Sequence, residues 1–229
     1  MYEKVKLALV SDICPDARFY RTIQLVRKTE KETRATCAAH CRVGQHVRVR
    51  AGGGESYFAI ASAPTADAAS IELLLKRGGD VANHIISGGR GVTVSMSDPA
   101  GEGFDVAAAR GRDVCLLAAG SGIAPIRALL CALIAERDRF KRVSLFYGQS
   151  APDDFAYRAQ LSELTDVDVT LAVPTTTTGW SGAVGYVQHV ARDAGVFDSD
   201  NLAIYACGMS EMLRETQAIA GRPVLTNGS

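Results

Sequence analysis

Over roughly the first hundred residues, apolar positions either alternate with polar ones or run unbroken for the length of a strand. Val5 to Ser11, Phe19 to Val26, His46 to Arg50, Tyr57 to Ser62, Ile71 to Lys76 and Val92 to Ser97 all read this way, separated by Gly, Pro, Asp or Ala/Asp turns. Six short strands predict a small antiparallel β-barrel. One helix is expected among them, Val81 to Ile86, with Asp80 as its N-cap and Gly88-Gly89 as its stop. AAARGR at 107 to 112 reads as a linker. From Asp113 the pattern changes to strands alternating with helices. Strands are predicted at Val114 to Ala118, Arg142 to Tyr147, Val167 to Val173, Leu202 to Ala206 and Val224 to Thr226. Helices are predicted at Ile123 to Glu136, Asp154 to Leu164, Tyr186 to Asp193 and Met209 to Ala220. Strands joined by helices imply a parallel sheet with right-handed crossovers. The expected fold is thus two-domain, β followed by α/β, with the barrel in residues 1–108 and the parallel-sheet domain in 109–229.

Composition narrows the function classes. The chain has 229 residues and a formal net charge of zero, with no basic block, which argues against a nucleic-acid partner. No run of 18 apolar residues and no signal-like amino terminus is present, so a soluble, cytoplasmic protein is expected. The six cysteines, at 14, 37, 41, 115, 131 and 207, make a poor disulfide framework and suit a reducing compartment. Cys37-Ala38-Ala39-His40-Cys41 lacks the second pair that zinc usually needs, and no closely spaced cysteines suggest an iron-sulfur cluster, so no metal is expected. The charged run Arg27 to Arg34 reads as a solvated loop.

Two segments carry candidate chemistry. Leu116 to Leu130, LLAAGSGIAPIRALL, runs a buried strand into a glycine turn that opens a helix. Gly120 and Gly122 allow a sharp bend and close approach of a ligand, and Pro125 suits a first helical turn. The amides of that turn can hold a phosphate, aided by the helix dipole. As a bare pattern it equally fits a strand-to-helix turn without a ligand. Tyr205 to Met212, YACGMSEM, is the second: a short strand broken by Gly208 before another helix. In open α/β sheets ligands bind beyond the carboxyl ends of the strands, so both turns can face one crevice.

In this order the two segments resemble the ferredoxin-NADP reductase superfamily. Ala119-Gly120-Ser121-Gly122-Ile123-Ala124-Pro125 is similar to its GGTGIAP motif, and Tyr205-Ala206-Cys207-Gly208-Met209-Ser210-Glu211-Met212 to its YxCGPxxM motif. Val43 to Val47, Phe58 to Ser62, Leu145-Phe146-Tyr147-Gly148 and Trp180 to Val187 are similar to other family segments. FAIASAP and GEGFDV are closest to the plant fruit-protein-like reductases. The resemblance implies hydride transfer between NADH or NADPH and FAD, with electrons passed to an unidentified acceptor, possible partners including a redox protein. A reductase-like binding module without activity, or an electron-transfer subunit of a larger complex, is the alternative.

The resemblance also implies the site. Gly120, Ser121, Gly122, Ile123, Ala124, Pro125, Tyr147, Gly148, Cys207, Gly208 and Met212 would hold the nicotinamide nucleotide, with Cys207 beside the reacting ring. Where the family carries Arg-x-Tyr-Ser/Thr against FAD, this chain has Ser56, Phe58 and Ala59. Tyr57 or Phe58 keeps an aromatic surface next to Ile60, but the arginine and the hydroxyl are gone. The pyrophosphate-binding Gly-x-x-Ser would align with Gly79-Asp80-Val81-Ala82, which brings in a carboxylate. Lys76 or Arg77 can replace the missing charge. Weak FAD binding is therefore expected. Ser150 and Val173-Pro174-Thr175-Thr176 stand where family members that use NADP often carry basic residues, so NADH is the expected nucleotide.

Overall fold

The computed structural model describes residues 6–65 and 68–227. Residues 6–96 form one antiparallel sheet of β1 (Lys6–Ala17), β2 (Tyr20–Arg27), β3 (His46–Ala51), β4 (Gly54–Ala59), β5 (Ile71–Lys76) and β6 (Thr93–Met96), in the order β4-β3-β6-β1-β2-β5. A bridge between Ile60 and Leu73 joins the two edges and closes the sheet into a barrel. The predicted start of the first strand, Val5, lies outside the described residues. β1 is long enough to serve two neighbours: Lys6 to Leu9 pair with β6, and Ala8 to Ala17 with β2, with irregularities at Val10/Asp12 and Pro15/Ala17 that let the strand curl.

Alternation sets the barrel core. Val10, Ile23, Leu25, Val47, Val49, Ile60, Leu73 and Leu75 point inward and are essentially inaccessible. Helix α2 (Asp80–Gly88) adds Val81 and Ile85 to the same cluster. Its N-cap is Gly79, which offers no side-chain cap; Asp80, expected to cap, is instead the first helical residue. The run Arg27 to Arg34, expected as a loop, leads into helix α1 (Glu30–Ala39). Thr29 Oγ1 accepts from Glu32 N while a Glu32 carboxylate oxygen accepts from Thr29 N, a reciprocal cap that starts the helix. Arg27 itself is buried. Its guanidinium donates to the carbonyls of Lys6, Met96 and Ser97 and to Thr36 Oγ1, tying α1 to three strands.

A single 3-10 turn at Ala107–Ala109 separates the barrel from a parallel sheet of β7 (Asp113–Ala119), β8 (Val143–Gly148), β9 (Asp168–Val173), β10 (Ala183–Val184) and β11 (Leu202–Cys207), ordered β10-β9-β8-β7-β11. The chain leaves β7 in one direction and returns to its other side at β11. The crevice of such a sheet therefore lies at the carboxyl ends of β7 and β11. Helices α3 (Ile123–Ala135), α5 (Val187–Asp193) and α6 (Ser210–Ala220) match the expected spans closely. α4 is shorter than expected, Arg158–Ser162, because Tyr157 takes a left-handed conformation (φ 59°) and ends the preceding turn. Of the predicted strand Val224 to Thr226 only a bridge from Leu225 to Tyr205 forms. β10 was not anticipated.

The two halves share a core. β5 reads Leu73-Leu74-Leu75 without a polar break because Leu73 and Leu75 face the barrel while Leu74 packs, with Tyr20, Ala61 and Phe104, against α3 and the parallel sheet. Among the described residues, no helix is long and apolar enough to cross a membrane.

Candidate nucleotide cleft

β7 ends at Ala119, and Gly120 turns the chain with φ 59°, a conformation costly for residues with a Cβ. Gly120–Gly122 then form a 3-10 turn into α3, whose first turn contains Pro125 and has no side-chain cap. Ile123 N is committed to the Gly120 carbonyl within that turn and Pro125 has no N–H, which leaves Ala124 N as the first-turn amide open to an anion. Gly122 is required for a second reason. A Cβ there would stand 2.2 Å from the carbonyl oxygen of Cys207 and 2.9 Å from Gly208 N, so the turn after β7 lies directly on the turn after β11. Pairing of Ala118 with Cys207 sets this register. The two motifs, almost ninety residues apart, form one surface.

That surface is one wall of a cleft of about 800 Å³ between sheet and barrel. Gly120, Ser121, Gly122, Ala124, Pro125, Cys207, Gly208 and Met212 line the sheet side, and Tyr57, Phe58, Ala59, Leu74 and Lys76 the barrel side. Phe58 and Gly120 therefore look into the same space. The far end is built by Gly148, Gln149, Ser150, Pro174, Tyr186, His189, Glu211 and Glu215. Gln149, His189 and Glu215 among these escaped the sequence reading. Tyr186 and Met209, in segments the sequence did single out, are 57% and 64% exposed beside the carboxyl ends of strands.

Charge in the cleft is unevenly distributed. Lys76 is the only lysine or arginine lining it and makes no ion pair among the described residues; its Nζ stands 6.0 Å from the Tyr20 ring centroid. At the other end Glu215 accepts from Gln188 Nε2 at 2.6 Å and lies 3.4 Å from His189 Nε2, while Glu211 pairs with Arg214. Burial pushes the Cys207 thiol up to about 11, so it stays protonated at neutral pH and meets a ligand as a small polarizable group.

Several residues named from the sequence sit elsewhere. Ile60, Ile123 and Tyr147 are fully buried in the cores, placed there by strand alternation and by the inner face of α3. Tyr147 acts at one remove: its hydroxyl accepts from Gln149 Nε2 at 2.6 Å and so fixes that cleft residue. Val81 and Ala82 are buried on the barrel-facing side of α2. Ser56 and Gly79 lie outside the cleft. Among the described residues no cluster of three metal-ligating side chains occurs, and Cys37 donates to the Ser70 carbonyl.

Comparison with known proteins places this geometry. Residues 116–218 match the family model of the oxidoreductase NAD-binding domain. The sulfhydrogenase 2 gamma subunit of Pyrococcus furiosus is 30% identical over 122 residues, covering 53% of this chain and 41% of that protein, so the chain spans less than half the length of that curated relative. Among solved structures, the ferredoxin reductase in carbazole 1,9a-dioxygenase superposes with a TM-score of 0.82 at 21% identity, covering 100% of this chain and 70% of that one. A ferredoxin NADP+ reductase from Neisseria gonorrhoeae with bound FAD and NADP superposes with a TM-score of 0.77 at 19% identity, over 95% and 91%. Residues 116–218 thus match an oxidoreductase NAD-binding domain, and the chain as a whole has the two-domain fold, barrel and parallel sheet, of these solved reductases.

Proposed function

We propose that this chain is a flavin-dependent oxidoreductase that takes a hydride from NADH, with residues 1–108 facing the flavin and 109–229 holding the nicotinamide nucleotide. The observation that carries the reading is the contact of the two glycine turns, opposite an aromatic barrel strand, across one cleft. The flavin supplies the two-electron chemistry. The chain's residues supply position and exclusion of water. Amides of the Gly120–Gly122 turn and of Ala124 take the dinucleotide phosphates, and Gly208 and the protonated Cys207 leave a flat floor for the nicotinamide. Phe58 and Leu74 give the facing wall an apolar surface that fits a flavin ring.

NADH is favoured over NADPH because no cation stands at Ser150 or at Pro174 to Thr176, and the far end of the cleft carries Glu211 and Glu215. A 2′-phosphate there would meet carboxylates with no lysine or arginine lining that end of the cleft, the Arg214 guanidinium being engaged by Glu211. The relationship to a hydrogenase gamma subunit supports a second arrangement, in which the same transfer feeds a larger catalytic chain.

The test is NADH and NADPH oxidation with added FAD and ferricyanide, alongside nucleotide binding measured by fluorescence. NADH is expected to be preferred by about tenfold or more in kcat/KM, the scale of one lost charged hydrogen bond. Gly122→Ala, which forces the two turns apart, is expected to abolish NADH binding while far-UV circular dichroism stays unchanged. Wild-type protein that binds neither nucleotide overturns the proposal.

A further inference from the structure

The barrel wall that fits a flavin ring is poorly built for the charged remainder of FAD. The cleft reaches Tyr57, Phe58, Ala59 and Lys76 and stops short of Ser56 and the start of α2. Beyond that edge no arginine stands at Ser56, and two carboxylates flank the place. Asp80 is the first residue of α2, exposed, and its Cβ lies 3.4 Å from where a Cβ on Gly54 would be, so its carboxylate stands beside the start of β4. Glu55, adjoining Ser56, engages the arginines of the neighbouring strand: it pairs with Arg50, and its Oε2 lies 3.8 Å from Arg48 Nε.

Nor does the sheet side supply a cation. Arg127 donates to the Ala61 carbonyl at 2.9 Å and to Glu72 at 2.8 Å, and is committed there. Of the residues lining the cleft Lys76 alone is cationic, solvent-exposed and at the ring end, while the exposed Arg77 beside it lies outside the cleft. A diphosphate carries two negative charges. Inside the cleft one exposed ammonium opposes them, with the Asp80 carboxylate beside its edge.

Resting on the nicotinamide-flavin reading above, we propose that the flavin is an exchangeable substrate held by its isoalloxazine ring, so that riboflavin, FMN and FAD are reduced alike and released. In the reaction the C4–H bond of the dihydronicotinamide breaks with its electron pair, and the hydride bonds to flavin N5. Flavin N1 takes a proton from water, and NAD+ and the dihydroflavin leave. The electron acceptor of this protein is then free flavin itself, and the step that follows is any reaction consuming dissolved dihydroflavin.

The experiment titrates the full chain with riboflavin, FMN and FAD by flavin fluorescence and follows anaerobic NADH-dependent bleaching of each flavin in excess over protein. The three dissociation constants are expected to agree within about tenfold, each flavin is expected to turn over many times per protein, and desalting should remove it. FAD bound a hundredfold or more tighter than riboflavin, or FAD retained through desalting, overturns the proposal. Ser56→Arg supplies the missing guanidinium and is expected to tighten FAD by about tenfold while leaving riboflavin unchanged. If the variant alters none of the three, the missing charge is not what makes the flavins equivalent, and the proposal fails. A separate NADH titration keeps the two readings apart. Absence of NADH binding removes the nicotinamide reading itself, whereas NADH binding beside resident FAD removes only the exchange.

Discussion

His40 closes α1 with its ring 5% exposed and its Nε2 buried without a partner. Desolvation holds its pKa down at about 4 instead of 6.5. The folded protein therefore keeps the ring neutral over a range in which the unfolded chain protonates it. The stability this confers is full above pH 6.5 and drains away as the pH falls from 6.5 to 4, by about 3 kcal/mol in all. Between pH 7 and 4.5, urea unfolding is expected to show wild type losing about 2.5 kcal/mol more than His40→Asn, which cannot titrate. Equal losses would place the ring in contact with water. Legibility differs among residues of this kind. Gly120, Gly122 and Gly208 announced themselves because a turn between an apolar strand and a helix has few solutions, whereas nothing near His40 in sequence shows that its ring is buried.

Among the elements, α1 shows how a written signal can be outvoted. Thr29-x-x-Glu32 is a capping box, yet the charged residues around it and the absence of an apolar stripe read as a loop. The helix persists because its inner face is polar and still buried: Thr33, Thr36 and Cys37 pack inward, and both threonine hydroxyls accept from Arg27. Burial without hydrophobicity leaves no periodic trace. With so small an apolar face, α1 depends on its cap, and Thr29→Ala is expected to lower global stability by about 1 kcal/mol. Amide exchange should quicken first at residues 32 to 36. If exchange there is unchanged and stability falls elsewhere, the cap is not what starts the helix. The strands were easier to read, since β3, β5, β7, β8, β9 and β11 are bounded by turn residues and differ from expectation by a residue or two. The edge strand β10 was missed because two residues carry no periodicity.

For the whole molecule, the order of barrel and parallel sheet was legible in the change of pattern near Asp113, but the joint between them was not. Its polar part ties Glu72 and Asp16 of the barrel to Arg127 and Tyr157 of the parallel-sheet half, residues 55 to 141 positions apart across the joint. Arg127 of α3 pairs with Glu72 of β5 at 2.8 Å and lies over the Tyr157 ring at 4.4 Å, Tyr157 Oη donates to Glu72 at 3.1 Å, and Asp16 of β1 accepts from Tyr157 N at 2.8 Å. Burial raises the Asp16 carboxyl and the Tyr157 hydroxyl above their ordinary ranges, so the cluster has been taken out of water. Arg127 and Glu72 are only 16% and 14% exposed. Removing the guanidinium strands the carboxylate, at a cost of about 2 to 4 kcal/mol. The loss falls on the joint that holds Phe58 opposite Gly120, so it should appear as uncoupling. Trp180, the only tryptophan, reports the parallel-sheet half, while far-UV circular dichroism reports both. In wild type the two urea transitions are expected to coincide, and in Arg127→Leu to separate, because each half retains its own core while the link between them is weakened. Arg127→Leu with Glu72→Leu, which leaves no stranded charge, should recover part of the stability but not the coupling to Tyr157 and Asp16. Coincident transitions in both variants would mean that the apolar contacts of Leu74, Tyr20 and Phe104 alone hold the cleft closed.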